Sequence, residues 1–486
     1  MKWLCFALLL VLKSALDCEA YNTLLVFPNL SKSHTTLAFG YAKHLLGAGH
    51  EVTIVTPYPK EAKEIGHPKL RVVDVSESLK IFTPEVFTIK AVLWNETMSQ
   101  YWKIMKTTSK MFFSYEEETI RNQNVQDLLN DHTTHFDVVI AEWFHSDMFA
   151  GFATVFNCPL IWSSTTEAHW MVLSLIDEAS NPAYTPDMNS AAVPPFSLAQ
   201  RMMQFTIQAI FKAFKFMYFS SRDKTNYEVL FGPHVAKRGN RELPPFEEVL
   251  YNGTLLFSNS HPVYGQSMRL PANCKEIGGF WIEREPKPLP QDLQKIMDSA
   301  YHGVIYFSMG SIWKSKDMPD TMKSDILRVF SNLQQTIIWK LEEELPDLPK
   351  NVHIVKWAPQ HGILAHPNCR LFITHGGIFS VTETVFFGVP VVGIPVGYDQ
   401  TLNIDRAVHK GFARKVQLAY DLADDLKLAI EEVLSNDSYR IRAKELSQMY
   451  HDRPVSPGAE LVHWVEHVVR TRGAPHLRSP ALMLQF

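Results

Sequence analysis

Apolar residues along this chain gather into short continuous runs instead of alternating with polar ones. In the first half these are Leu24 to Pro28, Glu51 to Val55 and Phe136 to Ala141. In the second half they are Gly303 to Met309, Gln335 to Lys340, Val352 to Lys356, Cys369 to Thr374 and Val389 to Val396. A strand apolar on both faces is buried on both faces, the mark of a parallel sheet covered by helices. The spacers have helix length, and the first, from about Thr35 to Leu46, ends at Gly47 and Gly49. This β-α-β order predicts an α/β chain with two doubly wound, Rossmann-like domains. The proline-rich stretch Glu283-Arg284-Glu285-Pro286-Lys287-Pro288-Leu289-Pro290 resists regular structure and reads as a linker. It puts the domain boundary near residue 285, between domains 21–285 and 286–486.

Two stretches depart from this pattern. Lys2, the apolar run Trp3 to Leu12 and the small-x-small triplet Cys18-Glu19-Ala20 read as a secretory signal over residues 1–20. That run is too short to span a bilayer. Entry into the endoplasmic reticulum lumen is therefore expected. Phe196 to Ser220 is rich in Met and aromatics, including Phe205, Phe211, Phe214, Phe216 and Phe219, and is interrupted by Lys212 and Lys215. It reads either as an amphipathic helix over a pocket or membrane surface, or as a core helix.

Composition narrows the function classes. The 486 residues carry 47 basic and 51 acidic side chains, for a net charge of -4, which gives no reason to expect nucleic acid. Past the signal, Cys158, Cys274 and Cys369 form no disulfide framework and have no metal-ligand spacing. Asn29, Asn95, Asn252 and Asn436 each open an Asn-x-Ser/Thr sequon.

The densest chemistry lies between Trp357 and Gln400. It reads Trp357-Ala358-Pro359-Gln360, Ile373-Thr374-His375-Gly376-Gly377, Ser380, Glu383, Gly388-Val389-Pro390 and Asp399-Gln400. A strand, a His-Gly-Gly turn and a helix opening near Ser380 make a phosphate site. Glycines let backbone approach the anion, and the helix N–H groups and positive dipole end face it. The next strand delivers Asp399-Gln400 at its C-terminal end, where open parallel sheets bind ligands.

This order of residues resembles the signature of the UDP-glycosyltransferases, which join a sugar from UDP to small lipophilic molecules. The N-terminal text Phe27-Pro28, Ser33-His34, Leu37, Gly49-His50, Val52-Thr53 and Pro57 is similar to the same family. The resemblance implies the GT-B architecture, two domains facing across a cleft, and makes His34 the general base that takes the acceptor's hydroxyl proton. It also implies an orienting carboxylate after the strand Phe136 to Ala141, by triad logic. Glu142 and Asp147 are the candidates, and the Phe-x-x-Asp context, like insect-type members, favours Asp147. On the donor side, Trp357 would stack on uracil, Gln360 bond the nucleotide, and Glu383 accept from ribose. His375, Gly377 and Ser380, with Gly310-Ser311, would surround the diphosphate. Asp399 and Gln400 would reach the sugar hydroxyls. No metal or other cofactor is expected, because the helix end and His375 can stabilise the departing UDP.

The family reaction is a direct displacement inverting the anomeric carbon. The expected donor is UDP-glucose, with UDP-glucuronic acid second, and the acceptor a phenol, flavonoid, steroid or similar molecule. Phe379 and Tyr398 stand where the family usually has smaller residues, bordering the expected sugar pocket. Members normally continue past a segment like Arg472 to Arg478 into a membrane anchor, whereas Phe486 ends this sequence after only a few apolar residues. A competing expectation is an inactive partner that tunes full-length relatives. Peripheral membrane contact and self-association are further expectations.

Overall fold

The computed structural model describes residues 20–479, except 82–88, 90–92, 94–113, 145–146, 177–180, 186, 188–194, 219 and 240. The signal segment up to residue 19, the sequon at Asn95 and residues 480–486 lie outside the described residues.

Two parallel sheets carry the fold. The first has seven strands in the order β3-β2-β1-β4-β5-β6-β7, and the second six in the order β10-β9-β8-β11-β12-β13. The first comprises β1 (Asn22–Val26), β2 (Glu51–Thr56), β3 (Leu70–Asp74), β4 (Val138–Trp143), β5 (Leu160–Ser164), β6 (Leu255–Ser258) and β7 (Cys274–Glu276). The second comprises β8 (Val304–Ser308), β9 (Thr336–Lys340), β10 (Val352–Val355), β11 (Cys369–Thr374), β12 (Val391–Gly393) and β13 (Ala413–Lys415). Central strands β1, β4, β8 and β11 are almost fully buried, as their unbroken apolar runs require. In each sheet the order reverses beside the first strand, and at that switch point the C-terminal ends open a crevice.

The elements missing from the sequence reading are short. β3, β5, β6, β7 and β13 hold three to five residues each, too few to show a period. From Glu283 to Pro290 the backbone forms no helix or strand.

Three helices matter for the site. α1 (Lys32–Gly47) follows β1, α2 (Ile378–Phe387) follows β11, and α3 (Gln400–His409) follows β12. The chain then crosses back. Tyr450 Oη donates to the Gly278 carbonyl at 2.8 Å, and the last long helix, Pro457–Arg470, packs on α1. A Cβ on Gly458 would sit 2.0 Å from His44 Cε1, so only glycine allows this close approach.

Helix Leu198–Tyr218 is amphipathic. Gln204 and Gln208 are buried, while Met202, Phe205, Ile210, Phe211 and Met217 are exposed. Among the described residues no helix is long and apolar enough to cross a membrane.

Candidate active site

The crevice ends of the two sheets face each other across a cleft of about 920 Å³, lined by residues of both halves. His34 enters it from the first turn of α1. β1 and β4 are neighbours with Val26 opposite Ala141, so the next residue of β4, Glu142, ends beneath the start of α1. Glu142 is buried, and its Oε1 lies 2.5 Å from His34 Nδ1. An ionised carboxylate only accepts, so Nδ1 carries the hydrogen and Nε2 keeps a lone pair for a proton. The Phe144 ring meets the imidazole edge-on at 4.7 Å between centroids and fixes its plane.

Asp147 does not play the part expected of it. Its Oδ1 accepts from Trp143 Nε1 at 2.8 Å, and the carboxylate on His34 is Glu142. The reason is local. β4 stays extended through Trp143, so position 142 remains at the sheet edge beside β1, while Asp147 folds back onto the indole of its own strand.

The donor-side residues gather opposite. Trp357, 67% exposed, follows β10, with Lys32 and Lys340 ammonium groups 5.9 and 5.6 Å from its ring centroid. Gln360 opens the helix Gln360–Ala365. Its Oε1 accepts from Tyr306 Oη at 3.1 Å, and its Nε2 donates to Glu383 Oε2 at 2.5 Å. Glu383 Oε1 lies 3.1 Å from His361 Nε2. Burial pushes His361 down, but Glu383 and then Glu283 outweigh it and hold its pKa above the ordinary histidine value. The Glu383 carboxyl is thus fixed from both sides, by Gln360 and by His361.

α2 opens at Ile378, two residues earlier than Ser380, with Gly377 as its cap and no side chain bonded to the first N–H groups. Those N–H groups and the dipole end point at the turn. The His375 ring lies between two glycines. A Cβ on Gly310, where φ is +87°, would fall 2.5 Å from His375 Cε1, and one on Gly377 would fall 2.7 Å from its Nε2. Burial, and then the charge of Lys340, push His375 down to about 4, so the ring is neutral at physiological pH. Lys340 Nζ donates to the Gly310 carbonyl and to Glu342 Oε1, both at 2.8 Å. The cation beside the Gly310-Ser311 loop is therefore Lys340, not His375. Ser311 and Ser380 also line the cleft.

Asp399 and Gln400 begin α3. Gln400 Oε1 accepts from the N–H groups of Val396 (2.9 Å) and Gly397 (3.2 Å), which holds the preceding loop. Asn403 Nδ2 bridges Asp399 Oδ2 at 2.7 Å and the Gly376 carbonyl at 3.0 Å. Burial raises the Asp399 pKa against the lowering bond from Asn403 and the lowering charge of His34. Tyr398 sits at φ +57°, a left-handed conformation unusual for its type. Phe379 packs on Trp281 with ring centroids 4.8 Å apart, so it closes the seam between the halves.

Sequence reasoning missed Tyr306, Lys340, His361 and Asn403. Lys340, a lone charge ending an apolar strand, carried the one usable signal. Asn29 is buried and accepts from Ser31 N–H, whereas Asn436 is exposed and caps the helix Asp437–His451. Among the described residues no group of three or more His, Cys, Asp or Glu is placed to hold a metal.

Comparison with known proteins matches the geometry. Residues 22–486 fit the family model described as "UDP-glucoronosyl and UDP-glucosyl transferase". The chain is 34% identical over 463 residues to UDP-glucosyltransferase 2 of Dactylopius coccus, covering 95% of this chain and 87% of that one. It is 28% identical to rat UDP-glucuronosyltransferase 2B17, covering 98% and 90%. The crystal structure of CalG4, the calicheamicin glycosyltransferase, shares the GT-B fold at a TM-score of 0.61 and 17% identity, covering 94% of this chain and all 100% of that one. The chain belongs to the UDP-glucuronosyl and UDP-glucosyl transferase family, and is a hexosyltransferase that moves a sugar from a UDP-sugar donor to a small acceptor.

Proposed function

We propose that this enzyme transfers glucose from UDP-glucose to a hydroxyl of a small lipophilic acceptor, with inversion and without a metal. The observation that carries this reading is the His34–Glu142 pair at 2.5 Å, facing the donor loops across one cleft. The acceptor oxygen attacks the anomeric carbon while its proton passes to His34 Nε2. The bond from that carbon to the β-phosphate oxygen breaks, and UDP leaves with the electron pair. Glu142 supports the imidazolium as it forms. The α2 N–H groups, the Gly310-Ser311 backbone and Lys340 support the charge on departing UDP. Glu383 takes the ribose, Trp357 the uracil, and Asp399 and Gln400 the sugar. The aromatic lining from Tyr58, Tyr115, Phe144 and Trp313 suits an apolar acceptor. UDP-glucose is favoured by the 34% identical glucosyltransferase over the 28% identical glucuronosyltransferase.

In this reading residues 21–285 bind acceptor and 286–486 bind donor, after a signal over 1–20 directs the chain to the endoplasmic reticulum lumen. The exposed apolar face of Leu198–Tyr218 would then rest on the membrane surface, a contact that vesicle flotation of Phe205→Glu would abolish. The decisive test is His34→Ala. It should keep the UDP affinity of the parent and lose at least about 10²-fold in turnover with a phenolic acceptor. Unchanged turnover would overturn the assignment, and an α-linked glucoside in the product NMR spectrum would overturn inversion.

A further inference from the structure

α3 carries the sugar-facing Asp399 and Gln400 at its start, yet one of its side chains belongs to the other half of the molecule. Arg406, 3% exposed, reaches across the seam and places Nη2 2.5 Å from Oε1 of Glu167. Glu167 lies just past β5 and is itself 8% exposed. Its second oxygen accepts from the Gln266 N–H at 3.3 Å, which ties it to the loop after β6. Lys410, just beyond α3, donates to the Pro262 carbonyl at 3.3 Å and lands on that same loop.

Each end of this contact is tied in by hydrogen bonds. On one side Asn403 bolts α3 to Asp399 and to the Gly376 carbonyl. On the other, the segment before Glu167 is held by Asn259, whose N–H bonds the Ser164 and Thr166 carbonyls at 3.2 Å and whose Nδ2 bonds that of Thr165 at 2.8 Å. Thr165 and Thr166 line the cleft. A buried ion pair is weak evidence for stability, because removing its charges from water is costly; its best-attested use is to specify one arrangement of the elements it joins. Here the geometry fixed is the distance from the sugar end of α3 to the acceptor-side lip of the cleft.

We propose that Glu167 and Arg406 are a positioning pair that sets the donor sugar against the acceptor half. They act on the transfer step through Asp399 and Gln400 and touch neither substrate. A displacement needs its nucleophile, anomeric carbon and leaving group aligned within a fraction of an ångström. The groups proposed for UDP, by contrast, belong to the second half. The inference rests on the reading that α3 holds the sugar.

The test uses Glu167→Met with Arg406→Met in one full-length chain. The double change removes both charges and is the variant most compatible with folding, since neither partner is left buried alone. The expected result is UDP affinity by calorimetry within about twofold of the parent. Transfer should fall by about tenfold, and the ratio of UDP-glucose hydrolysis to transfer should rise, because water needs no alignment by the acceptor half. The exchange Glu167→Arg with Arg406→Glu should recover part of the transfer. A double-Met variant that transfers and hydrolyses like the parent would overturn the proposal. So would a loss of UDP affinity in step with turnover, because the pair would then be supporting the second half alone. Failure of the functional reading looks different: His34→Ala would retain turnover whatever this pair does.

Discussion

The two halves of the molecule are built alike and do their work differently. Each is a parallel sheet with a crevice at its switch point. In the proposed reading the second half recognises its ligand with backbone. Gly310 and Gly376 take positive φ, Gly377 caps α2, and the anion site is made of N–H groups that only such a turn exposes. The first half works with side chains held by other side chains, the His34 imidazole on the Glu142 carboxylate and Phe144 at its edge. Backbone recognition constrains sequence tightly and in one place. Side-chain chemistry leaves a pair separated by more than a hundred positions and free in its surroundings.

The sharpest way to break this contrast is to damage one half and read the other. Glu142→Gln keeps shape and removes the charge that supports the imidazolium. Turnover should fall by about 10²-fold with UDP affinity unchanged. Asp147→Asn, at the carboxylate bonded to Trp143, should cost turnover less than about fivefold, below the usual scale of acid–base effects. Steady-state kinetics and calorimetry on the two variants decide the matter. A larger loss at Asp147 than at Glu142 would return the orienting role to the residue that the sequence favoured.

The converse damage is Trp357→Ala. Its exposed indole is the surface proposed for uracil, and a base stacked on an aromatic contributes about 1–3 kcal/mol. UDP affinity should drop by about tenfold. At saturating donor, kcat should stay within about threefold, because the His34–Glu142 pair is untouched. A fall in kcat at saturation matching the loss in affinity would mean that Trp357 also positions the reacting sugar.

This contrast also explains what could be read from the residues alone. The residues proposed for the donor could be picked out because they crowd between Trp357 and Gln400, and the fold brings them to one cleft. The central strands were legible because burial on both faces demands unbroken apolar runs. Glu142 was misjudged against Asp147 because both follow the same strand. Only the register of Val26 against Ala141 tells which one meets α1. Asn403 and the Glu167–Arg406 pair were silent for a related reason. Each acts through a partner far along the chain, and no local pattern records a contact that folding alone creates.

A smaller effect separates the halves by pH. His375, in the donor turn, and His261, in the first half beside the chain's return crossing, are both pushed down to about 4. For each the first cause is burial. Lys340 adds to it at His375, and Arg453 and Lys410 add to it at His261. Unfolded, a histidine takes its proton near its ordinary value of about 6.5. Between about 4 and about 6.5 the unfolded chain therefore binds more protons than the folded one, so stability falls as pH is lowered through that window and levels off below it. His375→Gln should remove one proton's share of this slope and His261→Gln the other. Each variant should show a Tm that drops less than the parent's, by a few °C, between pH 7 and pH 5. UDP affinity should separate them, because His375 alone lies in the donor turn. The neutral ring predicts that UDP binding by the parent carries no step from His375 between pH 6 and pH 8. A step there that His375→Gln abolishes would show the ring charged when UDP is bound, and would move part of the leaving-group stabilisation from Lys340 back to His375.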